Sequence, residues 1–236
     1  MNVLLIFLKE PVPGNVKTRL AASVGDEEAA KRYRSMVAVL LEQLEGLNNT
    51  HVRFCYAPDD ADDAIKFWIL PQLRGHTINQ GNNFLFTPEK HAQPFTIDFA
   101  HQGVGDLGQR LERATTQAFD DGYAKVAVIG TDCIHCGSRW INAAFLQTSA
   151  DRCVLGPSDD GGYYLLSTAR KSTSLFKNIP WSSTDTLRMT EQAAVASKLT
   201  VVRLPPLVDI DDEADWEEVL NSAIGGKLRA AHKREN

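Results

Sequence analysis

Residues 3–20 read VLLIFLKEPVPGNVKTRL. Val3 to Leu8 form an unbroken apolar run that stops at Lys9 and Glu10 and opens into Pro11, Pro13 and Gly14. A strand covered on both faces has this pattern, because neither side of it needs to be polar, while proline and glycine mark where it leaves the sheet. Beyond Gly25, Asp26 is placed to cap a helix in which Tyr33, Met36, Val37, Leu40, Leu41, Leu44 and Leu47 recur at helical spacing, with a stop near Gly46. Residues 52–57 read as a second strand and 62–70 as a short helix ended by Pro71. The chain therefore opens as βαβα.

Residues 74–93 are rich in Gly and Asn without a period and are expected to form an irregular connection. Phe95, Ile97 and Phe99 then alternate as a half-buried strand. A helix over about 106–121 turns Leu107, Leu111, Ala114, Ala118 and Phe119 inward, and 125–130 is another buried strand. After a helix near 138–148, strands at 153–155 and 163–167 flank a turn so short that they must pair antiparallel. A helix over 184–198, a strand over 200–204 and a helix over 212–223 close the pattern. Residues 225–236 are basic and polar and are expected to form a loose tail outside a domain of residues 1–224. Alternating β and α elements predict an α/β single domain, Rossmann-like, with a mixed, mostly parallel sheet and helices on both faces.

Composition narrows the function. The 236 residues, 43% hydrophobic and 23% charged, exclude intrinsic disorder. A formal charge of -5 argues against binding nucleic acid or an anionic membrane surface. The first apolar run is far shorter than the ~20 residues of a membrane span and lacks the form of a signal peptide, so a cytoplasmic location is expected. Four cysteines without a secretory signal are too few for a disulfide scaffold.

In a sheet of this kind ligands bind beyond the carboxyl ends of the strands, so the segments after strands carry the chemistry. Residues 9–20 bring Lys9, Lys17 and Arg19 to a loop held open by two prolines and Gly14, which suits a polyphosphate as well as a plain solvated basic loop. Neither GxGxxG nor GxxxxGK[ST] is present. Asp132 falls just past a buried strand, where a carboxylate can hold Mg²⁺ or Mn²⁺ against a diphosphate, or cap a helix. Cys133 and Cys136 spell CxxC around His135, but no second ligand pair supports zinc and no thioredoxin-like context supports redox chemistry. Residues 156–163, GPSDDGGY, form a tight glycine turn that presents Asp159 and Asp160, or serves only as a hairpin. The helix start near Gly105, Asp106 and Arg110 is placed to meet an anion, and Asp209 and Asp211 end the last strand beside Asp212, with capping by Asp211 or Asp212 the alternative. No His stands at a spacing with Ser or Cys that identifies a nucleophilic triad.

Taken together, KEPVPGNVKTRL at 9–20, QGVGDLGQRL at 102–111, VIGTDC at 128–133, LGPSDDGGYYLL at 155–166 and IPW at 179–181 resemble small bacterial glycosyltransferase-like proteins of the nucleotide-diphospho-sugar transferase superfamily, including the set linked to arsenosugar biosynthesis. The resemblance implies a GT-A fold, a nucleotide-sugar donor, a small acceptor and a divalent metal. It assigns Lys9, Lys17 and Arg19 to the donor phosphates, with Gly14, Arg110, Gly161 and Gly162 also in the nucleotide-binding set. Asp132 would bind the metal, Mg²⁺ or Mn²⁺, with Asp209 and Asp211 as further ligands. Gln102 would read the base, Asp159 or Asp160 would act as general base or metal ligand near the acceptor, and Trp181 would face the sugar. Ile134 stands where such families usually have proline. The same segments are similar to molybdenum-cofactor nucleotidyltransferases and phospholactate guanylyltransferase, and VDIDDEADW at 208–216 is similar to their DxDxxxD ending. Nucleotidyl transfer from a nucleoside triphosphate is therefore the alternative, and a non-catalytic nucleotide-binding protein the second.

Overall fold

The computed structural model describes residues 1–73, 75–89 and 94–235. Arg74, residues 90–93 and Asn236 lie outside the described residues, and with them both ends of the connection expected over 74–93 and the last residue of the expected tail. In chain order the elements are β1 (Asn2–Lys9), α1 (Thr18–Val24), α2 (Asp26–Glu42), β2 (Thr50–Ala57), α3 (Asp62–Ile69), β3 (Gly75–Gln80), β4 (Asn83–Pro88), β5 (Phe95–His101) and α4 (Leu107–Asp120). They continue with β6 (Lys125–Ile129), α5 (Ser138–Gln147), β7 (Arg152–Pro157), β8 (Tyr163–Thr168), α6 (Thr186–Ala196), β9 (Thr200–Arg203), α7 (Glu213–Leu220) and α8 (Gly225–Glu235).

β1 is central, with β2 and β6 parallel to it on either side, in a sheet of order β3-β4-β5-β2-β1-β6-β8-β7-β9. β5 pairs parallel with β2, and β9 parallel with β7. β4 and β8 are antiparallel to both of their neighbours. Seven strands thus run one way and two are reversed, so β1, β2, β3, β5, β6, β7 and β9 all end at the same edge of the sheet.

The alternation of β1 divides the core. Leu4, Ile6 and Leu8 face a cluster closed by α2, α3 and α5 through residues such as Val37, Leu40, Ile65 and Ile141. Val3 and Leu5 face the opposite cluster, closed by α4 and α6 through Leu111, Ala118 and Ala194. Both faces of β1 are dry, which is why its sequence lacks alternation.

Four local expectations need correction. Residues 75–88 form the β3–β4 hairpin rather than an irregular connection; β3 is an edge strand exposed along nearly its whole length, so it has no apolar alternation to read. Residues 18–24 form α1, a short helix between the cationic loop and Gly25. Gly25, not Asp26, is the N-cap of α2, and Asp26 is its first residue. The segment expected to end loose is helix α8. α2 is apolar on two sides, and Met36 and Val39, on the side away from the sheet, are covered by Trp216 and Val219 of α7 and by Leu228 and Ala231 of α8. A polar-looking segment docks because its few apolar residues answer a helix that would otherwise be bare.

Leu228 is fully buried in this outer layer. Leu228→Ala is expected to cost about 3 kcal/mol, measured by thermal or urea unfolding; an unchanged midpoint would contradict a docked α8.

Candidate active site at the carboxyl edge of the sheet

The strand ends at this edge are stitched together by backbone bonds. After β9 the chain crosses the edge, with Leu207 N–H donating to the Pro157 carbonyl at 3.1 Å and Ile210 N–H to the Asp132 carbonyl at 3.0 Å. The second bond sets residues 209–211 directly beside the end of β6. From the other side, the Tyr33 hydroxyl of α2 accepts from the Lys9 N–H at 3.0 Å and from the Thr131 hydroxyl at 3.2 Å, tying the exits of β1 and β6 together.

Into this frame projects Lys17. Its ammonium lies 2.5 Å from Asp132 Oδ1, 3.2 Å from Asp211 Oδ1 and 2.5 Å from the Ile210 carbonyl. The Lys17 side chain is only 5% exposed, whereas Asp132 is 47% exposed. Burial alone pulls a lysine pKa down, but Asp132 and Asp211 outweigh it and hold Lys17 above its ordinary value. Arg19 reaches the other oxygen of Asp211 at 3.4 Å and remains largely in solvent.

Asp209 is the strained carboxylate of the group. Burial, followed by the charges of Asp132 and Asp160, pushes its pKa up to about 7, and its Oδ1 is buried without a hydrogen-bond partner. An ionised carboxylate in that position calls for a cation. Among the described residues no three His, Cys, Asp or Glu side chains are already gathered as a metal site. Mg²⁺ and Mn²⁺ need no such cage: one or two carboxylates suffice when substrate phosphates and water supply the other oxygens. Asp132, through its exposed side, and Asp209 fit that demand.

The turn between β7 and β8 lies at the same edge. Asp160 Oδ1 accepts from the Ser158 hydroxyl at 2.6 Å and from the Gly162 N–H at 2.8 Å, so this carboxylate shapes its own loop. Asp159 is exposed and makes no hydrogen bond or ion pair among the described residues. Gly161 has φ +87°, and a Cβ there would stand 2.4 Å from the Thr184 carbonyl, so the turn cannot carry a side chain at that point. Gly14, at φ +82° in the cationic loop, likewise holds a left-handed conformation.

Of the residues singled out from the sequence, Lys17, Arg19, Asp132 and Asp211 are joined by ion pairs, and Asp209 feels the charges of Asp132, Asp211 and, from the β7–β8 turn, Asp160. Asp212 is the N-cap of α7 in a capping box with Asp215, which leaves Asp211 to the site. Gln102 is placed differently from the expectation that it reads a base. It is buried; both amide hydrogens are engaged, by the carbonyls of Leu8 at 3.0 Å and Cys55 at 2.9 Å, and its Oε1 faces Arg110 at 3.3 Å. Arg110 also donates to the Gly105 carbonyl at 2.9 Å, so the pair braces the loop after β5. The α4 terminus is closed by its own Asp106–Gln109 capping box rather than left open to an anion. Trp181 stands edge-on to Tyr163 at 6.4 Å, against the start of α4. Lys9 is exposed at the loop mouth. Cys133 and Cys136 are buried free thiols whose pKa values are raised by that burial, which disfavours thiolate chemistry.

Sequence reasoning missed Tyr33, Ser158 and Arg113, the last of which clamps the carbonyls of Gln102 and Val104 at 2.5 and 2.7 Å. Tyr33 was legible only as one more inward position of α2; its hydroxyl on an otherwise apolar face was the available signal.

A mixed sheet that ends seven strands at one edge, between two layers of helices, is the fold of the nucleotide-diphospho-sugar transferase class of α/β domain. The chain belongs to the family described as "Uncharacterized protein conserved in bacteria (DUF2064)", whose model matches residues 40–183. It is similar to a candidate nucleotide-diphospho-sugar transferase from Desulfovibrio desulfuricans G20, with 30% identity over 99% of this chain and 97% of that one and a TM-score of 0.75. A cytidylyltransferase from Leptospira borgpetersenii shares the fold at 13% identity, covering 99% of this chain and 94% of its own, with a TM-score of 0.52. So does 4-diphosphocytidyl-2C-methyl-D-erythritol synthase from Anaerococcus prevotii, at 11% identity, 99% and 95% coverage and a TM-score of 0.52. No curated protein matches the sequence. Among the described residues no helix is long and apolar enough to cross a membrane.

The raised Asp209 pKa has a sign that can be checked. The folded protein holds this proton up to about pH 7, whereas the unfolded chain releases it near 3.8, so stability is lost as pH rises through that interval. In buffer containing EDTA, Asp209→Asn is expected to remove this loss and to melt higher than wild type at pH 8 by about 3 °C or more. A variant that melts lower at pH 8 would contradict the assignment.

Proposed function

We propose that this chain is a divalent-cation-dependent transferase that moves a sugar from a nucleoside diphosphate sugar to a hydroxyl of a small acceptor. The observation that carries the reading is the meeting of Lys17, Arg19, Asp132 and Asp211 at the carboxyl edge of the sheet, with the unpartnered oxygen of Asp209 beside them.

Asp132 and Asp209 would hold Mg²⁺ or Mn²⁺, which supplies neutralisation of the charge that develops on the departing diphosphate. Arg19, whose guanidinium is 68% exposed, offers a fork for the phosphate oxygens, and Lys9 adds a second positive charge at the mouth. Gly14 lets the loop backbone approach the phosphates. Asp159 would accept the proton of the acceptor hydroxyl; its exposure, and the engagement of Asp160 with its own turn, support that choice of the two. Trp181 offers an aromatic edge to a sugar near the same turn. Asp159 is also what favours sugar transfer over nucleotidyl transfer. A phosphate nucleophile is already an anion and needs no base, whereas the hydroxyl of a small acceptor must lose its proton.

The test is a thermal-shift panel of nucleoside diphosphates, triphosphates and nucleotide sugars with Mn²⁺, on wild type and Asp132→Ala. A nucleotide sugar at about 100 times its Kd should stabilise wild type by about 2.7 kcal/mol and leave the variant unmoved. A response to triphosphates alone, with pyrophosphate as product, would replace this reading with nucleotidyl transfer. Nucleotide binding that persists without turnover would replace it with a non-catalytic binding protein.

A further inference from the structure

Lys17 was expected to hold donor phosphates, yet its three ammonium hydrogens face three acceptors inside the chain: Asp132 Oδ1, Asp211 Oδ1 and the Ile210 carbonyl. The residue is held there against two costs. Its backbone sits at φ 48°, ψ 48°, in the left-handed region that a residue with a Cβ avoids. Its side chain is almost fully buried, which an ammonium tolerates only when paired. A saturated ammonium cannot bind a phosphate without first releasing one of these acceptors.

Asp132 is the acceptor that can be released. It is about half exposed, while Ile210 is backbone and Asp211 is shared with Arg19. A divalent cation on Asp132 would stand within a few ångströms of the Lys17 ammonium, and two cations that close repel strongly in a partly dry site.

We propose that Lys17 is the resident cation of the site: it holds Asp132 and Asp211 together while the site is empty and yields Asp132 to the divalent cation when the metal binds. This rests on the reading of Asp132 as a metal-holding carboxylate. Lys17 is then a positioning residue in the empty protein, and the metal is what frees its ammonium for the phosphates.

Binding of Mn²⁺ alone, followed by the loss of the free-ion electron paramagnetic resonance signal, tests the exchange without any nucleotide. Lys17→Met should bind Mn²⁺ about 10-fold more tightly than wild type, because the competing charge is gone, and Lys17→Arg should bind no more tightly than wild type. Equal or weaker binding by a folded Lys17→Met would overturn the proposal, as would absence of Mn²⁺ binding by both proteins. Should Lys17→Met unfold, the wild type answers alone. Acetylation by an N-hydroxysuccinimide ester, read peptide by peptide by mass spectrometry, should modify Lys17 slowly in EDTA and several-fold faster with Mn²⁺, while an exposed lysine such as Lys177 is unchanged. Lys17 labelling that does not respond to bound Mn²⁺ would make it a static tie and overturn the exchange. These readouts use the metal alone, so failure of the sugar-transfer reading leaves them standing.

Discussion

The architecture depends on β1 being apolar on both faces and paired in parallel on both edges. A strand in that position has one place to send a polar segment, which is past its own carboxyl end. Because β6 and β2 run the same way beside it, their exits arrive at the same edge, and β7 and β9 arrive there too. Charged residues that follow these strands in sequence become neighbours in space. The Lys17 cluster is the outcome: one cation from the first exit loop, and carboxylates from the loops after β6 and β9.

Much of this was legible from residue order. The continuous apolar runs at 3–8 and 126–129 mark central strands, and the periodicity from Tyr33 to Leu41 marks α2. Asp132, Lys17, Arg19 and Asp211 were legible because each follows a strand end and is charged. The elements that escaped are those whose apolar residues are few. β3 lies at the edge with solvent around it, α1 is short, and α8 is mostly polar and is held by the outer face of α2. Their structure is decided by what they dock on rather than by their own pattern.

The site's chemistry was legible in residue type but not in occupancy. Gln102, Asp160 and Lys17 all have the polar groups that a ligand would want, and in all three those groups are satisfied inside the protein. The partners of Gln102 are 94 and 47 residues away along the chain, so no local spacing announces them. Conversely, Asp209 looks in sequence like one of several interchangeable acids around Ile210, and it is its burial, beside the ion-paired Asp211 and the capping Asp212, that sets it apart. Residue identity states what a group is able to do; its neighbours decide whether it is already doing it.

The stretch between β9 and α7 also sets a timetable. Lys17 leaves the ribosome early, but Asp132 follows it by 115 residues and Asp211 by 194. Until residues 210 and 211 have been made, Lys17 has no second carboxylate and Asp132 has no Ile210 amide against its carbonyl. A nascent chain can pair β1 with β2 and β6 while its ammonium is still in water. The pocket closes only when the segment after β9 crosses the sheet, so a newly made chain reaches this arrangement only once residues 210 and 211 have followed all the strands they join.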